Sequence, residues 1–189
     1  MKNRSRCSVF CGVSLDGFIA RKNDAFDFLE GPPGKKKPRG GDDHGYGAFI
    51  KDIDAIVLGR NTFEVVLGFG KWFYGDKKVV VLSRRKVDLT KARAMGANIE
   101  WMRGEPKAIV AALAKRGYRR LYIDGGATIQ RFLKAGLIDR LIVSRLPVLI
   151  GQGIPLFGPL PKDLWLKHVA TRTFPGGMVQ SEYITRLRG

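Results

Sequence analysis

Ala55-Ile56-Val57-Leu58-Gly59-Arg60-Asn61-Thr62-Phe63-Glu64 holds two kinds of sequence in ten residues. The first four are an unbroken apolar run, which suits a buried strand. Gly59 lets the chain turn closely. Asn61, with Glu64 three residues on, predicts a capped helix beginning there. A strand running straight into a helix is half of a strand-helix-strand unit.

Working outward, the pattern repeats. Lys78–Leu82 reads as a strand followed by Ser83-Arg84-Arg85, and Asn98–Met102 as a weaker strand. Pro106–Arg116 has helical spacing at Ile109, Val110 and Leu113, with Pro at its start and Gly117 after its end. Arg120–Ile123 is a strand closed by Asp124-Gly125-Gly126, and Thr128, as cap, opens a helix to Ala135. Asp139–Leu146 is a further strand, then Pro147–Gly158 an irregular loop. Toward the N-terminus, Gly45–Asp52 reads as a short helix, and Ser8–Leu15 as a buried strand ended by the turn pair Asp16-Gly17. Leu164–Phe174 and Gly177–Arg186, split by Pro175-Gly176-Gly177, read as a terminal hairpin. The expectation is an α/β protein with a mainly parallel sheet, helices on both faces and antiparallel strands at one edge. It forms one domain over residues 1–189, with a flexible tail at 1–6 and a loop at 31–43.

Composition narrows the class. A chain of 189 residues, 44% hydrophobic, buries enough surface to fold without staples. Cys7 and Cys11 would lie about 13 Å apart along a strand, too far for a disulfide, and read as small buried hydrophobes. With only His44 and His168 elsewhere, no metal site is expected. Sparse cysteines suit a reducing cytosol, and no apolar stretch reaches the roughly 20 residues of a membrane helix. The net charge of +17 suits anionic partners, although it is spread along the whole chain. Its densest run, Lys35-Lys36-Lys37-Pro38-Arg39, reads as a solvated loop.

In an open parallel sheet, ligands bind beyond the C-terminal strand ends. Three such ends stand out. Gly59-Arg60-Asn61-Thr62 suits a pyrophosphate, with a helix N-terminus and a forked cation, and equally fits an ordinary capped turn. Ser83-Arg84-Arg85 suits a terminal phosphate, or a solvated basic turn. Asp124-Gly125-Gly126-Ala127-Thr128 permits close backbone approach, or simply turns. The dinucleotide fingerprint with three glycines and the P-loop are both missing.

Four segments together resemble the dihydrofolate reductase superfamily, and within it the riboflavin-biosynthesis reductases: the C-terminal domain of the bifunctional deaminase-reductase and its stand-alone relatives. They are Val13–Ala20, Val57–Glu64, Leu121–Ala127 and Pro147–Phe157. The resemblance implies a three-layer α/β/α fold with an eight-stranded sheet, NADPH as hydride donor, and a homodimer. It implies that Ile19 and Ala20 border the nicotinamide. Gly59, Arg60, Asn61 and Thr62, with Gly125, Gly126, Ala127 and Thr128, would hold the phosphates, and Ser83 and Arg84 the 2′-phosphate. Asp16, at the end of the first strand, is expected at the substrate, and so is Asp43, before the short helix. Asp27-Phe28 resembles an Asp-Trp pair of the stand-alone relatives, with the Trp replaced. The implied reaction is NADPH-dependent reduction of a 5-amino-6-(5-phosphoribosylamino)uracil-like intermediate or a related small heterocycle. The alternatives are dihydrofolate reduction, and a basic nucleic-acid-binding protein on a reductase-like scaffold.

Overall fold

The computed structural model describes residues 4–31 and 43–185. Eight strands form the main sheet. These are β1 (Arg6–Ser14), β3 (Ala55–Gly59), β4 (Lys78–Leu82), β5 (Ile99–Met102), β6 (Arg120–Asp124), β7 (Ile138–Leu146), β9 (Leu166–Thr173) and β10 (Val179–Thr185), in the order β5-β4-β3-β6-β1-β7-β10-β9. Neighbours are parallel as far as β7, and β10 runs antiparallel to both β7 and β9. The two short strands β2 (Phe18–Ala20) and β8 (Ile154–Pro155) pair separately.

Apolar strands become central because both their faces are covered. Helices α4 (Pro106–Lys115) and α5 (Gly126–Lys134) cover one face, where Val9, Val57, Leu121, Ile109 and Phe132 form one core. Helices α1 (Tyr46–Lys51), α2 (Arg60–Gly68) and α3 (Thr90–Ala94) cover the other, around Ile56, Leu58, Phe63 and Tyr122. The expected three layers, parallel sheet and terminal hairpin are therefore present. Among the described residues no helix is long and apolar enough to cross a membrane.

Several expectations need correction. Residues 4–6 are no flexible tail: Arg4 pairs with Asp139, Ser5 Oγ donates to Tyr118 O at 2.6 Å, and Arg6 opens β1. The Pro147–Gly158 loop contributes β8, because Ile154–Pro155 finds a partner in β2. Helix α3 was not foreseen: its five residues, mostly Ala and basic, bury only Ala92 and leave little periodicity to read. The Lys35–Arg39 run and the expected end of the last strand at Arg186 lie outside the described residues. Cys7 and Cys11 are buried free thiols on β1; burial pushes Cys7 up to about 12 and Cys11 well above the usual thiol range.

Candidate functional site

The site begins with the register of three neighbouring strands. Gly59 pairs with Leu82, and Leu58 with Asp124, so β4, β3 and β6 end at one level. The loops that leave them share a rim. Next to it the sheet opens. β1 and β6 remain paired only from Arg6↔Arg120 to Ser8↔Tyr122, whereas β1 follows β7 to Ser14↔Leu146. Tyr122 bridges the parting strands, its hydroxyl donating to Phe10 O at 2.9 Å. A cleft of ≈ 1000 Å³ fills this opening.

All twelve residues expected at a cofactor line that cleft: Ile19, Ala20, Gly59, Arg60, Asn61, Thr62, Ser83, Arg84, Gly125, Gly126, Ala127 and Thr128. The expected caps are corrected. Helix α2 starts at Arg60 with Gly59 as cap, and α5 at Gly126 with Gly125 as cap, and no side chain caps either. Asn61 and Thr128 lie inside their helices. Each helix start therefore presents first-turn amides and the positive end of its dipole to the cleft. The two starts face each other closely. A Cβ on Gly59 would stand 2.8 Å from Thr128 Oγ1, and one on Gly125 would collide with Thr62 Oγ1. Gly125 also sits at φ 86°, which disfavours any side chain.

At the end of β4, Ser83 Oγ accepts from the Arg85 amide at 3.2 Å, and Ser83 O accepts from Trp101 Nε1 at 3.1 Å. This turn holds Arg84 and Arg85 at the rim. With Arg60 and Arg131 they make four arginines in the lining. Over the start of α5 lies the β2/β8 pair. A Cβ on Gly126 would stand 3.0 Å from Ile19 Cγ2 and 3.2 Å from Ile154 Cγ2, and Gln130 Nε2 donates to Pro155 O at 2.7 Å. That docking brings Ile19 and Ala20 to the cleft.

Both acids expected at the substrate stand elsewhere. Asp16 is exposed and outside the lining; its carboxylate accepts from the Ile150 amide at 3.2 Å and the Gly151 amide at 2.8 Å. Ser14 and those amides lower its pKa. It ties the turn after β1 to the loop that carries β8. Asp43 accepts from the Gly47 and Gly45 amides at 2.7 and 2.8 Å, which lowers its pKa and anchors the start of α1. Asp27 is exposed in a forked ion pair with Arg21, at 2.6 and 2.9 Å, and Phe28 is buried.

The acid that does line the cleft is Asp124. Burial raises its pKa, against the opposing pull of the Gly125 amide, 2.8 Å from Oδ1, and of the Tyr74 hydroxyl, 3.2 Å from Oδ2. Burial and the Asp124 charge in turn push the Tyr46 phenol up to about 12. In the sequence Asp124 looked like the first residue of a turn. The signal that could have found it was its place directly after Tyr122-Ile123 at a strand end beside the expected phosphate loop.

Such a sheet, parted between β1 and β6 above two facing helix starts, is the architecture of the dihydrofolate reductase-like class. The chain belongs to the RibD C-terminal domain family, whose model matches residues 7–180. The uncharacterized protein YwjB of Bacillus subtilis (strain 168) is 30% identical over 178 residues, covering 93% of this chain and 95% of YwjB. The crystal structure of a Shewanella sp. PV-4 protein named for riboflavin biosynthesis superposes with a TM-score of 0.87 at 35% identity, over 96% of this chain and 99% of that one. Dihydrofolate reductase from Enterococcus faecalis, solved with NADP(H), shares the fold at a TM-score of 0.62 and 15% identity, over 97% and 99% of the two chains.

Proposed function

We propose that this chain is an NADPH-dependent reductase of a small nitrogen heterocycle. The observation that carries this reading is the convergence of three strand-end loops, two helix starts free of side-chain caps and four arginines on one cleft. Backbone amides at helix N-termini and arginine forks are the groups that bind phosphates. The side-chain-free faces of Gly59 and Gly125 let both helix starts approach one ligand. Gly59–Thr62 and Gly125–Thr128 would hold the pyrophosphate, Ser83 and Arg84 the 2′-phosphate, and Ile19 and Ala20 would border the nicotinamide. The family membership and the fold supply further support for this cofactor.

NADPH, when bound, supplies the hydride. The protein's own residues orient the acceptor, exclude water and manage one proton. The β2/β8 pair closes one side of the cleft. Asp124 is the group placed to hold the proton, at the carboxyl oxygen that faces Tyr74, because burial favours its protonated form. Its reduced thiols suit a cytosolic protein. A homodimer belongs to the same reading, supported by the edge strand β9, where Val169 is 49% exposed, and by Trp165 just before it at 72%. Sedimentation at the mass of a monomer at all concentrations would refute that part.

The direct test is titration with NADPH. Saturable binding in the micromolar range is expected, weakened about tenfold in Arg60→Ala, the worth of a charge-assisted contact. Unchanged affinity in that variant would overturn the phosphate assignment.

A further inference from the structure

The two oxygens of Asp124 have different duties. Oδ1 accepts from the Gly125 amide at 2.8 Å, which fixes it as an acceptor. Oδ2 lies 3.2 Å from the Tyr74 hydroxyl. A proton held by this buried carboxyl therefore sits on Oδ2 and is donated to Tyr74 Oη. The phenol carries a hydrogen of its own. While Asp124 is protonated, that hydrogen turns away from the carboxyl and is available to a ligand, because Tyr74 lines the cleft. Among the described residues Asp124 is the only side chain that hydrogen-bonds the Tyr74 hydroxyl.

The phenol is firmly placed, on the segment between α2 and β4. Trp72 meets its ring edge to face at 5.4 Å, the Lys77 amide donates to Tyr74 O at 3.1 Å, and the ring packs in the core around Ile56 and Leu58. The other described titratable groups facing Asp124 are Tyr46 on α1, Tyr122 on β6 and Cys11 on β1. Burial keeps both phenols and the thiol uncharged near neutral pH. Tyr122 gives its hydrogen to Phe10 O.

From this geometry we infer that Tyr74 is a further catalytic residue, whose hydroxyl passes the proton from Asp124 Oδ2 to a ring nitrogen of the acceptor. This rests on the reductase reading. The bond reduced is a ring C=N. Its carbon takes the hydride, and the electron pair of its broken π bond takes the Tyr74 hydrogen at nitrogen. Tyr74 Oη takes the Asp124 proton in the same step, so the phenol stays neutral. Asp124 is left as a carboxylate and recovers one proton from solvent. A phenol alone is too weak an acid for this task, and the carboxyl behind it supplies the driving force.

The test uses the full chain saturated with NADPH and a basic ring as probe, 2,4-diaminopyrimidine labelled at its ring nitrogens. Nitrogen NMR reads the pH at which the bound ring loses its proton. That pH is expected about one unit or more above the value for the free probe. Tyr74→Phe keeps the ring and removes the hydroxyl, and should lower it by about one unit, a tenfold weaker hold on the proton. Asp124→Asn should lower it at least as far, and the double variant no further, because the two groups act as one chain. Tyr46→Phe should titrate like the parent. An unaltered titration in Tyr74→Phe overturns the inference, and so do additive shifts in the double variant or a fall in Tyr46→Phe. A probe that binds neutral, or does not bind, also overturns it. Tyr74→Phe should keep NADPH affinity within about twofold; its loss would show that the phenol serves the fold instead. NADPH affinity of the parent is measured first, and its absence would strike the reductase reading.

Discussion

Gly125 shows how one missing side chain shapes the cleft. Its backbone takes φ 86° and ψ 134°, a region essentially restricted to glycine, and its empty face receives Thr62 Oγ1. Gly125→Ala combines backbone strain with a steric clash. It is expected to cost about 2–4 kcal/mol, seen as a melting temperature lowered by roughly 5–15 °C, and to weaken NADPH binding as the two helix starts separate. Asp124 has the opposite character. Its folded-state pKa is raised, so the folded chain holds this proton over a pH range where the unfolded chain has lost it. Its contribution to stability is therefore complete below the usual carboxylate range and is lost as pH rises through the raised value. Asp124→Asn should melt roughly 2–4 °C higher than the parent at pH 7 and show little difference near pH 3.5, by calorimetry at both values. A gain of equal size at both would remove the charge as the cause.

The cleft's elements are held by polar ties that leave little trace in hydrophobic periodicity. The β2/β8 pair is tied in place by Asp16, whose carboxylate accepts from two amides of the loop between β7 and β8. Asp16→Ala should speed hydrogen exchange at Ile150 and Gly151 by about tenfold while leaving the β4 amides unchanged. Because the Asp16 pKa is lowered, its tie persists through the usual carboxylate range and is released only as pH falls through that lowered value. Helices α2 and α5 stand at the same rim for a different reason. The strands before them end in register, and glycine caps leave their first amides to a ligand. Arg84→Ala should therefore reduce the preference for NADPH over NADH about tenfold while changing NADH affinity little, as measured by parallel titrations. An equal loss for both cofactors would place Arg84 away from the 2′-phosphate.

For the whole molecule, a net charge of +17 surrounds a cleft that carries four arginines. Attraction for a polyanionic dinucleotide is then partly long-range and is screened by salt. The NADPH dissociation constant should rise about three- to tenfold between 50 and 500 mM salt. A dissociation constant unchanged by salt would show that the charge has no energetic weight at the cleft.

Much of this architecture was legible along the chain. Unbroken apolar runs such as Ala55–Leu58 and Val79–Leu82 declare strands covered on both faces, and the glycine-bearing strand ends mark the ligand rim, because these are local properties of neighbouring residues. The helix starts were misread at Asn61 and Thr128, since capping propensity is local but competes with glycine geometry set by two loops facing each other. The acids found partners that chain order does not show. Asp16 and Asp43 sit where chain order puts a substrate, yet each is occupied by amides, those of Asp16 more than a hundred residues away. Asp124 gained its character from burial beside the gap between β1 and β6, against the opposing pull of Tyr74, fifty residues earlier. Local pattern sets which segments are strands and helices, whereas desolvation and long-range contact set which carboxyl can hold a proton, and those exist only once the chain has closed around it.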